Sequence, residues 1–392
     1  MTQYRYLIVG GGMTADAAVR GIRELDRNSP VGLVGDEEDA PYARPPLSKG
    51  LWKGEPLENI WRKTAEVGVD LHLGRRVMTL DLAGKKVVDD QGTVHGFENL
   101  LLATGGAPRR LLFGGDDVVY FRTLQDFRRL HEQARPEKAF AVIGGGFIGS
   151  EIAAALAMNG CRVTMLFPDD VIGARMFPGD LARFVTGYYR DKGVDVRGGE
   201  HVTGMRREGT RIVVQTKTGL ELAVDGVVAG IGIVPNTALA SAAGLAVDDG
   251  IVVDEFLRTS HPDVFAAGDV ARFHSRALGT TLRVEHEDNA LTMGRAAGRA
   301  MAGDTSPYEH LPFFYSDLFE LGYEAVGELN PRGEVVSDWK TPFREGVVYF
   351  VSGGRVRGVL LWNTWGQVDA ARALIADPGP FHTADLIGRL PS

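Results

Sequence analysis

The feature that most constrains this chain is a glycine turn at residues 6–15, where a short apolar run meets a segment of helical spacing. The first glycine, Gly10, permits a tight turn, and the second, Gly12, lets a diphosphate approach the backbone. The small third residue, Ala15, lets the following helix (residues 16–22) pack on the strand, with its positive N-terminus towards the phosphates. The pattern therefore predicts a strand, turn and helix that bind a dinucleotide.

An acidic pair follows the next apolar run, residues 31–34. In this motif an acid at the end of the second strand hydrogen-bonds a ribose hydroxyl of the dinucleotide. Asp36 is the better-placed residue and Glu37 is the alternative. Glycine turns also arise for purely structural reasons, so the prediction depends on strand, helix and acid being in register.

The same motif occurs again at residues 139–167. Gly144, Gly146 and Gly149 have the spacing of the first turn, and an acid, Asp169, follows two residues beyond the end of the next strand. Two such motifs in one chain are much more specific than one. The acid favours NADH over NADPH because it would repel a 2′-phosphate, and no arginine sits beside it in the sequence.

Composition sets the broad class of the protein. With 392 residues and ordinary hydrophobic and charged fractions, the chain is long enough for two or three domains. The net charge of −8 argues against nucleic acid or a membrane surface as the main partner. No apolar run approaches the roughly 20 residues that cross a bilayer. The first strand begins within a few residues of Met1, which predicts no leader peptide and a cytoplasmic protein.

A single cysteine, Cys161, excludes intrachain disulfides and a dithiol redox pair. It lies in an apolar run that predicts a strand, where a buried structural thiol is more typical than a reactive one. The sequence has no cluster of His, Cys and Asp at ligand spacing, so no metal ion is expected.

Three segments between and after the glycine turns carry further polar groups. The proline-stiffened loop at residues 39–52 holds Arg44 and Lys49, which are either solvated surface cations or partners for phosphate and a flavin ring. Residues 103–106 form a tight turn suited to close approach by a ligand. Asp269 follows a strand of small residues. Taken alone it is more typical of a helix N-cap than of a carboxylate directed at a ribityl hydroxyl.

The remaining elements are predicted from apolar periodicity. They are strands at residues 69–73, 86–88, 162–167, 251–254, 323–327, 346–351 and 356–362, and helices at residues 152–159, at residues 284–301 and from about residue 369. Composition changes after residues 303–307, and the strand-rich remainder has no nucleotide motif. This predicts a separate C-terminal domain of mixed sheet.

Together these motifs resemble one group of flavoproteins. The chain is similar to the FAD- and NAD(P)-dependent pyridine nucleotide-disulfide oxidoreductases. Within them it resembles the branch that holds apoptosis-inducing factor and the reductases of ferredoxin, putidaredoxin and rubredoxin. The resemblance is carried by residues 41–49, 103–109, 144–151 and 265–269, and on the apoptosis-inducing-factor side by residues 166–169, 284–286, 315–318, 322–325 and 359–363.

The resemblance implies the fold and the order of domains. The expected fold is α/β and glutathione reductase-like, with two Rossmann-type dinucleotide-binding domains and a small mixed α+β C-terminal domain. A discontinuous FAD-binding domain would cover residues 1–110 and 230–308. An NAD-binding domain would cover residues 111–229, and a C-terminal interface domain residues 309–392.

The resemblance also implies which residues surround each cofactor. FAD would lie against Gly10, Gly12, Met13, Ala15, Asp36, Glu37, Arg44, Lys49, Val77, Ala103, Thr104, Gly105, Arg109, Asp269, Glu285 and His286. NADH would lie against Gly144, Gly146, Phe147, Ile148, Gly149, Glu151, Asp169 and Gly232. Tyr315 stands where the family has a stacking tryptophan.

Lys49 and Glu151 are the predicted catalytic pair. In the implied reaction, hydride passes from nicotinamide C4 to flavin N5, and Lys49 reaches the N5 side while pairing with Glu151. At an effective dielectric of about 20, a cation about 4 Å away stabilises the reduced flavin by roughly 4 kcal/mol before desolvation. The alternative is a domain-bridging salt bridge that contributes about 1 kcal/mol or less. Disulfide reductase and NADH oxidase activities are disfavoured, since residues 40–47 contain no cysteine.

Three further side chains have open roles. His286 either hydrogen-bonds or gates a flavin ring, or is a satisfied structural histidine. Trp362 and Trp365 are expected in the hydrophobic core rather than over a cofactor or acceptor.

The leading function is an NADH-dependent FAD reductase that passes electrons to a ferredoxin-type iron–sulfur protein. Because such partners and this chain are both acidic, a local basic patch is needed. The candidate patches are Arg20, Arg23 and Arg27, or Arg122, Arg128 and Arg129. Two alternatives remain: a redox sensor that forms a long-lived reduced flavin–NAD charge-transfer complex, and a diaphorase that uses quinones or another small acceptor. The sequence leaves homodimerisation open.

Overall fold

A computed structural model describes residues 2–391. Met1 and Ser392, the outer limits of the predicted domains, lie outside the described residues. By residue contacts the chain divides into two compact units. Unit 1 comprises Met1–Arg44, Leu57–Ala107 and Val234–Pro312, and unit 2 comprises Pro45–Pro56, Pro108–Ile233 and Phe313–Ser392.

The helices are distributed over both units. They are α1 (Met13–Leu25), α2 (Leu124–Gln133), α3 (Phe147–Met158), α4 (Gly179–Asp191), α5 (Ala238–Ala242), α6 (Glu287–Met301), α7 (Val368–Ala376) and α8 (Thr383–Leu386). Short 3-10 helices lie at Pro45–Ser48, Gly50–Lys53, Leu57–Ile60, Thr64–Val67, Gly115–Asp117 and Gly268–Val270. Within residues 2–391, none of the helices combines the length and the apolar composition that crossing a bilayer needs.

The strands are short and numerous. In chain order they are β1 (Thr2–Val9), β2 (Val31–Val34), β3 (Asp70–His72), β4 (Val77–Asp81), β5 (Lys86–Asp89), β6 (Val94–Leu102), β7 (Gly106–Pro108), β8 (Val118–Tyr120), β9 (Ala139–Ile143), β10 (Arg162–Phe167), β11 (Asp195–Gly198), β12 (Val202–Glu208), β13 (Arg211–Thr216), β14 (Glu221–Val224), β15 (Gly226–Ala229), β16 (Ile233–Pro235), β17 (Ile251–Val252), β18 (Val264–Ala266), β19 (Ala271–Ser275), β20 (Thr280–Arg283), β21 (Phe313–Leu318), β22 (Leu321–Gly327), β23 (Glu334–Thr341), β24 (Glu345–Ser352) and β25 (Arg355–Trp362).

Unit 1 is built on a sheet of order β3-β2-β1-β6-β5-β4, with β18 also paired to β6. Strands β1, β2, β3, β6 and β18 run parallel, so their carboxyl ends meet at one edge of the sheet. Ala15, Ala18, Val19 and Ile22 lie on one face of α1 and are completely buried in the core of this unit. Ligands of such sheets bind at the carboxyl edge, where the first glycine turn lies.

Unit 2 contains a parallel sheet of order β11-β10-β9-β15-β8 and an antiparallel sheet of order β12-β13-β14. Its C-terminal part is an antiparallel sheet of order β21-β22-β25-β24-β23. Segment Pro45–Pro56, predicted inside the FAD-binding domain, groups with unit 2 by its contacts. The assignment of a cofactor to each predicted domain stays a prediction.

The predicted elements are mostly present, with shifted ends. The strand at residues 162–167 is confirmed as β10. Helix α1 starts at Met13 rather than at residue 16, because Gly12 occupies the N-cap. Helix α6 starts at Glu287 rather than at residue 284. Cys161 is buried as expected, but it precedes β10 instead of lying in it.

Candidate functional site

The first glycine turn leaves an open cradle at the start of α1. Gly10 has a φ of +126°, and a Cβ there would lie 2.1 Å from the Ala103 carbonyl oxygen, so only glycine fits. At Gly12 the nearest atom to a Cβ would be Nη2 of Arg44, 4.0 Å away. Gly12 is also the N-cap and offers no capping side chain, so the N–H groups of the first turn, beginning at Met13, can receive a ligand. This geometry fits a diphosphate.

A guanidinium borders this cradle. Arg44 pairs with the Glu37 carboxylate and donates to the Tyr42 hydroxyl at 3.1 Å, and Tyr42 in turn donates to Glu37 Oε2 at 2.5 Å. Burial lowers the pKa of Arg44, but Tyr42, Glu37 and Asp269 raise it by a larger amount, so the group stays cationic. A fixed cation next to helix N–H groups suits a phosphate.

The two acids after β2 have different surroundings. Asp36 has a 59% exposed side chain and pairs with Arg76 at 2.7 Å, whereas the side chain of Glu37 is 27% exposed and lies beside Arg44. Sequence reasoning ranked Asp36 first. The structure places Glu37, the alternative, next to the arginine of the cradle.

The other predicted residues of unit 1 lie close to strand ends. Val77 begins β4 just after Arg75, whose N–H donates to the Gly35 carbonyl at 2.8 Å. Ala103 follows β6 and donates to the Val9 carbonyl at 2.8 Å. Thr104 Oγ1 donates to the Asn236 carbonyl at 2.8 Å. Gly105 follows with a φ of +62°.

The helix N-cap interpretation of Asp269 is wrong. Asp269 sits in the 3-10 turn Gly268–Val270, and the strand β19 follows it instead of a helix. A Cβ on Gly268 would lie 2.3 Å from Thr14 Oγ1, so this turn packs closely on the first turn of α1. Asp269 therefore lies near the glycine cradle, where the charge of its carboxylate raises the pKa of Arg44.

Arg283 is a residue that sequence reasoning missed. Its Nη1 donates to the Asp269 carbonyl at 3.1 Å and pairs with Glu285 at 2.7 Å. Its buried Nε has no hydrogen-bond partner within residues 2–391. Arg283 thus fixes two predicted cofactor-binding residues at once. In the sequence Arg283 stands two residues before Glu285, and this spacing, which places both side chains on one face of an extended segment, is the signal that could have found it.

His286 caps α6 with an extended backbone. Burial lowers the pKa of its imidazole to about 4, although the charges of Asp269 and Asp288 raise it. At neutral pH the ring is therefore uncharged, and it can donate one hydrogen bond and accept another. Both interpretations of His286, ring contact and structural histidine, stay predictions.

The second glycine turn has the same backbone and fewer neighbours. A Cβ on Gly144, which has a φ of +120°, would lie 2.3 Å from the Gly230 carbonyl, and one on Gly149 would lie 2.1 Å from the Gly144 carbonyl. At Gly146 a Cβ would meet no described atom within 4 Å. Phe147 and Ile148 are the first residues of α3, and Gly146 is its N-cap. A dinucleotide diphosphate fits here too.

Asp169 lies just after β10 and forms an ion pair with Arg175, with 3.6 Å between Oδ2 and Nε. No arginine is adjacent to this acid in the sequence, but the fold brings Arg175, six residues further along the chain, next to it. The premise that no arginine lies beside the acid is therefore wrong. Arg175 is 82% exposed and can move. The predicted preference for NADH therefore depends on the acid alone.

Lys49 and Glu151 form the predicted ion pair, whereas their catalytic role stays a prediction. Lys49 Nζ donates to Glu151 Oε1 at 2.6 Å, and it lies 5.3 Å from the centre of the Tyr315 ring. Two hydroxyls complete the site: Ser48 Oγ donates to Oε2 at 2.6 Å, and Ser316 Oγ donates to Oε1 at 2.7 Å. The carboxylate is buried, and all of these residues belong to unit 2. Ser48 and Ser316 were not predicted, although an inward-facing serine on a strand signals a polar partner.

The segment that carries Lys49 is anchored inside unit 2. Trp52 Nε1 donates to the Leu47 carbonyl at 2.7 Å, and Asn159 Nδ2 donates to the Trp52 carbonyl at 3.3 Å. The Trp52 ring meets the Phe127 ring edge-on at 5.7 Å between centres. These contacts fix the backbone on both sides of Lys49.

The remaining predicted residues are Arg109, Gly232 and two tryptophans. The Arg109 N–H donates to the Gly232 carbonyl at 2.9 Å, so these two predicted residues are neighbours. Trp362 is in the core as expected, whereas Trp365 is 54% exposed, so its expected core position is wrong. Within residues 2–391 no group of three or more His, Cys, Asp or Glu side chains is placed to hold a metal ion.

The two candidate basic patches differ in availability. The Arg23 guanidinium donates to four backbone carbonyls, those of Asp26, Ser29, Val67 and Gly68. Arg20 is held by Asp16. Arg128 and Arg129 are exposed on α2. The patch on α2 therefore has two exposed arginines, whereas the other patch has one, Arg27.

Comparisons with known proteins agree with this geometry. A family model described as pyridine nucleotide-disulphide oxidoreductase matches residues 4–294. Monodehydroascorbate reductase 3 of Arabidopsis thaliana is 34% identical over 415 residues, covering 96% of this chain and 93% of the relative. Mitochondrial apoptosis-inducing factor 1 of Dictyostelium discoideum is 32% identical over 417 residues, covering 95% and 78%. A crystal structure of a covalent putidaredoxin reductase–putidaredoxin complex matches with a TM-score of 0.91 and 31% identity, covering 98% and 95%.

Proposed function

Because this chain belongs to the pyridine nucleotide-disulphide oxidoreductase family, we propose that it is an NADH-dependent FAD reductase that delivers electrons to a ferredoxin-type iron–sulfur protein. The family establishes the coarser statement: the chain is an NAD(P)H-dependent flavoprotein oxidoreductase with the glutathione reductase-like fold. The choice of FAD, the choice of NADH and the acceptor are our proposals.

Each glycine cradle is assigned one cofactor. Arg44, with the N-terminus of α1 and the nearby Asp269, would hold FAD. The more open turn at Gly146, with Asp169 after the next strand, would hold NADH, which has to come and go in each cycle. When bound, the two cofactors supply the redox chemistry.

The observation that carries the proposal is the environment of Lys49. Within residues 2–391 its ammonium hydrogen-bonds only Glu151, so two of its three N–H donors remain for a ligand. The side chain is 13% exposed, which keeps bulk water away from most of it. A lysine held in this way can donate to a negative charge that develops on a bound ring, and Glu151 keeps it oriented.

The acceptor is proposed from charge and from the comparisons. The matching crystal structure holds a reductase together with putidaredoxin. This chain has a net charge of −8, so an acidic partner needs a local positive surface. Arg128 and Arg129 on α2 provide one.

Anaerobic stopped-flow reduction by NADH and by NADPH tests the proposal, followed by mixing the reduced protein with a ferredoxin-type protein. We expect NADH to reduce the flavin at least about tenfold faster than NADPH, which corresponds to about 1.4 kcal/mol. No long-wavelength absorbance should persist, and electron transfer to the acceptor should weaken with salt. Fast reduction without transfer to any iron–sulfur protein would contradict the proposed acceptor.

The relatives support two other functions for the same site. Similarity to apoptosis-inducing factor favours a sensor, for which reduction would be slow and the long-wavelength absorbance would survive admission of oxygen. Similarity to monodehydroascorbate reductase favours a small organic acceptor. Turnover with quinones and with monodehydroascorbate radical, compared with turnover with a ferredoxin-type protein, separates these outcomes.

A further inference from the structure

A loop of residues 168–178 connects β10 to α4 and folds back on the second glycine turn. The Gly173 N–H donates to the Gly145 carbonyl at 3.1 Å, so the loop contacts the middle of that turn. The loop also carries Arg175, which pairs with Asp169. It therefore lies beside both features that are proposed to bind the nucleotide, the glycine turn and the acid.

A buried phenyl ring anchors the far end of this loop. Phe177 is 2% exposed, and its ring meets the rings of Tyr323 and Trp362 edge-on, at 5.3 Å and 5.5 Å between centres. These two residues pair with each other across β22 and β25 and are almost completely buried. Exposing a ring with such contacts to water is unfavourable. The C-terminal sheet, which has no nucleotide motif, thus holds one end of the loop.

The ring and the contact with the glycine turn are coupled by close packing. The Phe177 N–H donates to the Gly173 carbonyl at 2.9 Å, and a Cβ on Gly173 would lie 2.4 Å from Cδ2 of Phe177. With a φ of +69°, Gly173 also has a backbone conformation that suits glycine. Met176 is held as well, since its sulfur accepts from the Tyr323 hydroxyl at 3.8 Å. Moving the ring therefore moves the residue that contacts the glycine turn.

We propose that Phe177 is a positioning residue that fixes the loop on the C-terminal sheet and so sets the affinity of the second glycine turn for a pyridine nucleotide. With the ring in place, Gly173 stays on Gly145 and Arg175 stays next to Asp169. Without the ring the loop has several conformations, and a nucleotide selects the closed one at a cost in affinity. This role rests on the proposed function only in placing a nucleotide at this turn. All of these residues belong to unit 2.

The test measures binding of ADP-ribose to the flavin-loaded, oxidised protein by calorimetry. ADP-ribose carries the diphosphate and the adenosine ribose but no nicotinamide, so its binding needs no redox step. If Phe177→Ala leaves the loop closed about a tenth of the time, the apparent Kd rises about tenfold. Phe177→Leu keeps an apolar anchor and should stay within about threefold of wild type. KM for NADH should follow the Kd while kcat changes little, because uniform binding is lost.

A second readout follows the loop itself. The Gly173 amide is hydrogen-bonded in the wild type, and hydrogen exchange of the peptide that contains residues 168–178 reports its opening. We expect exchange in Phe177→Ala to be at least about tenfold faster than in wild type without ligand. Saturating ADP-ribose should slow it again, because the nucleotide selects the closed loop.

Phe350→Ala is the matched control, since it removes an equally buried phenyl ring from the same sheet. Phe350 lies on β24, four residues from Gly346, which pairs with Trp362, and is therefore about 13 Å along the strand from the aromatic contact. Both alanine variants should lower the free energy of unfolding. ADP-ribose affinity and exchange of the loop should change in Phe177→Ala and not in the control.

The outcomes are distinct. Wild-type affinity for ADP-ribose in Phe177→Ala would overturn the role of Phe177, as would unchanged exchange of the loop or the same two effects in Phe350→Ala. Should Phe177→Ala not fold, Gly173→Ala takes its place, because the added Cβ displaces the ring, and the same loss of affinity is expected. If wild type binds no ADP-ribose, the proposed placing of the nucleotide is wrong and the affinity claim fails with it, whereas the exchange rates still decide whether Phe177 fixes the loop.

Discussion

The helices that follow the two glycine turns each bury a carboxylate near their N-terminus, and the two are held differently. On α1, Asp16 is completely buried and accepts from Arg20 at 3.0 Å, Arg62 at 2.6 Å and Thr64 at 2.7 Å. On α3, Glu151 accepts from one lysine and two serines. Asp16 lies in the first turn of α1 and benefits from the positive end of the helix dipole, whereas Glu151 lies just beyond the first turn of α3.

The difference separates a carboxylate that anchors a segment from one whose proposed role is to hold Lys49 for the bound flavin. Arg62 and Thr64 come from the segment that follows the loop, so Asp16 anchors that segment to α1. Its arginines are further engaged, since Arg20 also donates to the Arg62 carbonyl at 2.6 Å. Lys49, in contrast, retains donors for a ligand. The same turn and helix thus anchor a segment in unit 1 and hold the cation of the proposed catalytic pair in unit 2.

The acid–arginine pairs near each turn extend the comparison. Glu37 and Arg44 are both largely buried beside the first cradle, and Tyr42 bonds to both. Asp169 and Arg175 are exposed, and 3.6 Å separates them. We infer that the first cradle retains its cofactor and that the second exchanges it.

Arg44→Met should have the largest effect on cofactor binding. The change removes the cation of the first cradle and leaves the Glu37 carboxylate without its partner. Breaking a buried ion pair in this way typically lowers the unfolding free energy by about 3–5 kcal/mol. We expect FAD affinity to fall at least about 100-fold, with protein purified largely free of flavin. Fluorescence titration with FAD measures it. Arg357→Met is the control, since Arg357 is buried to a similar degree and pairs with Glu328 at 2.8 Å. Equal flavin content in both variants would contradict the assignment of Arg44.

Asp16→Asn tests the anchor. Burial raises the pKa of Asp16, but hydrogen bonds from Arg20, Arg62 and Thr64 lower it by more, so it lies below its ordinary value of 3.8. We expect a loss of about 3 kcal/mol of unfolding free energy at pH 7. Glu151→Gln should cost less, because Glu151 pairs with one cation, Lys49, whereas Asp16 pairs with two, Arg20 and Arg62. Urea denaturation followed by fluorescence compares the two.

The pH dependence of that loss has a fixed sign. A carboxyl whose folded pKa is depressed stabilises the protein above its unfolded pKa, and this contribution disappears as pH falls through the folded value. The difference between wild type and Asp16→Asn should therefore be constant from pH 7 to about pH 5 and shrink below about pH 4. A difference that grows on acidification would show that Asp16 is not held as an anion.

Lys49→Ala tests the chemical side. Because solvent screens a partly buried charge, we expect the variant to lose about 2 kcal/mol of stabilisation of the transition state for flavin reduction. Reduction by NADH should therefore be about 30-fold slower. Stopped-flow absorbance under anaerobic conditions measures it. Lys192→Ala is the control, because Lys192 pairs with Glu320 at 2.7 Å and has no predicted role. A rate within about twofold of wild type for Lys49→Ala would leave only a structural salt bridge.

Sequence reasoning predicted the features that a local pattern of residues determines. The glycine turns, the strand β10 and the partnership of Lys49 with Glu151 are present, because spacing and family motifs specify them. Ser316 was missed, since the hydroxyl reaches Glu151 only when β21 is assembled. Asp269 was misread as an N-cap, because a Gly-Asp pair before a helix and before a strand look alike in one dimension. Trp365 was expected inside because it is aromatic, and nothing local shows that its loop is exposed.

The exposed pair at the second turn should give the smallest effect. Arg175 faces Asp169, and a guanidinium here also suits the 2′-phosphate of NADPH. Exposed pairs contribute about 0–1 kcal/mol, so Arg175→Met should lower kcat/KM for NADPH about threefold and leave that for NADH almost unchanged. Asp169→Asn should do the opposite by removing the repulsion that favours NADH. Steady-state assays with both nucleotides at low salt measure the ratio. If Arg175→Met instead impairs NADH more than NADPH, the arginine orients Asp169 towards the ribose, and the second turn then shares with the first an acid that depends on its arginine.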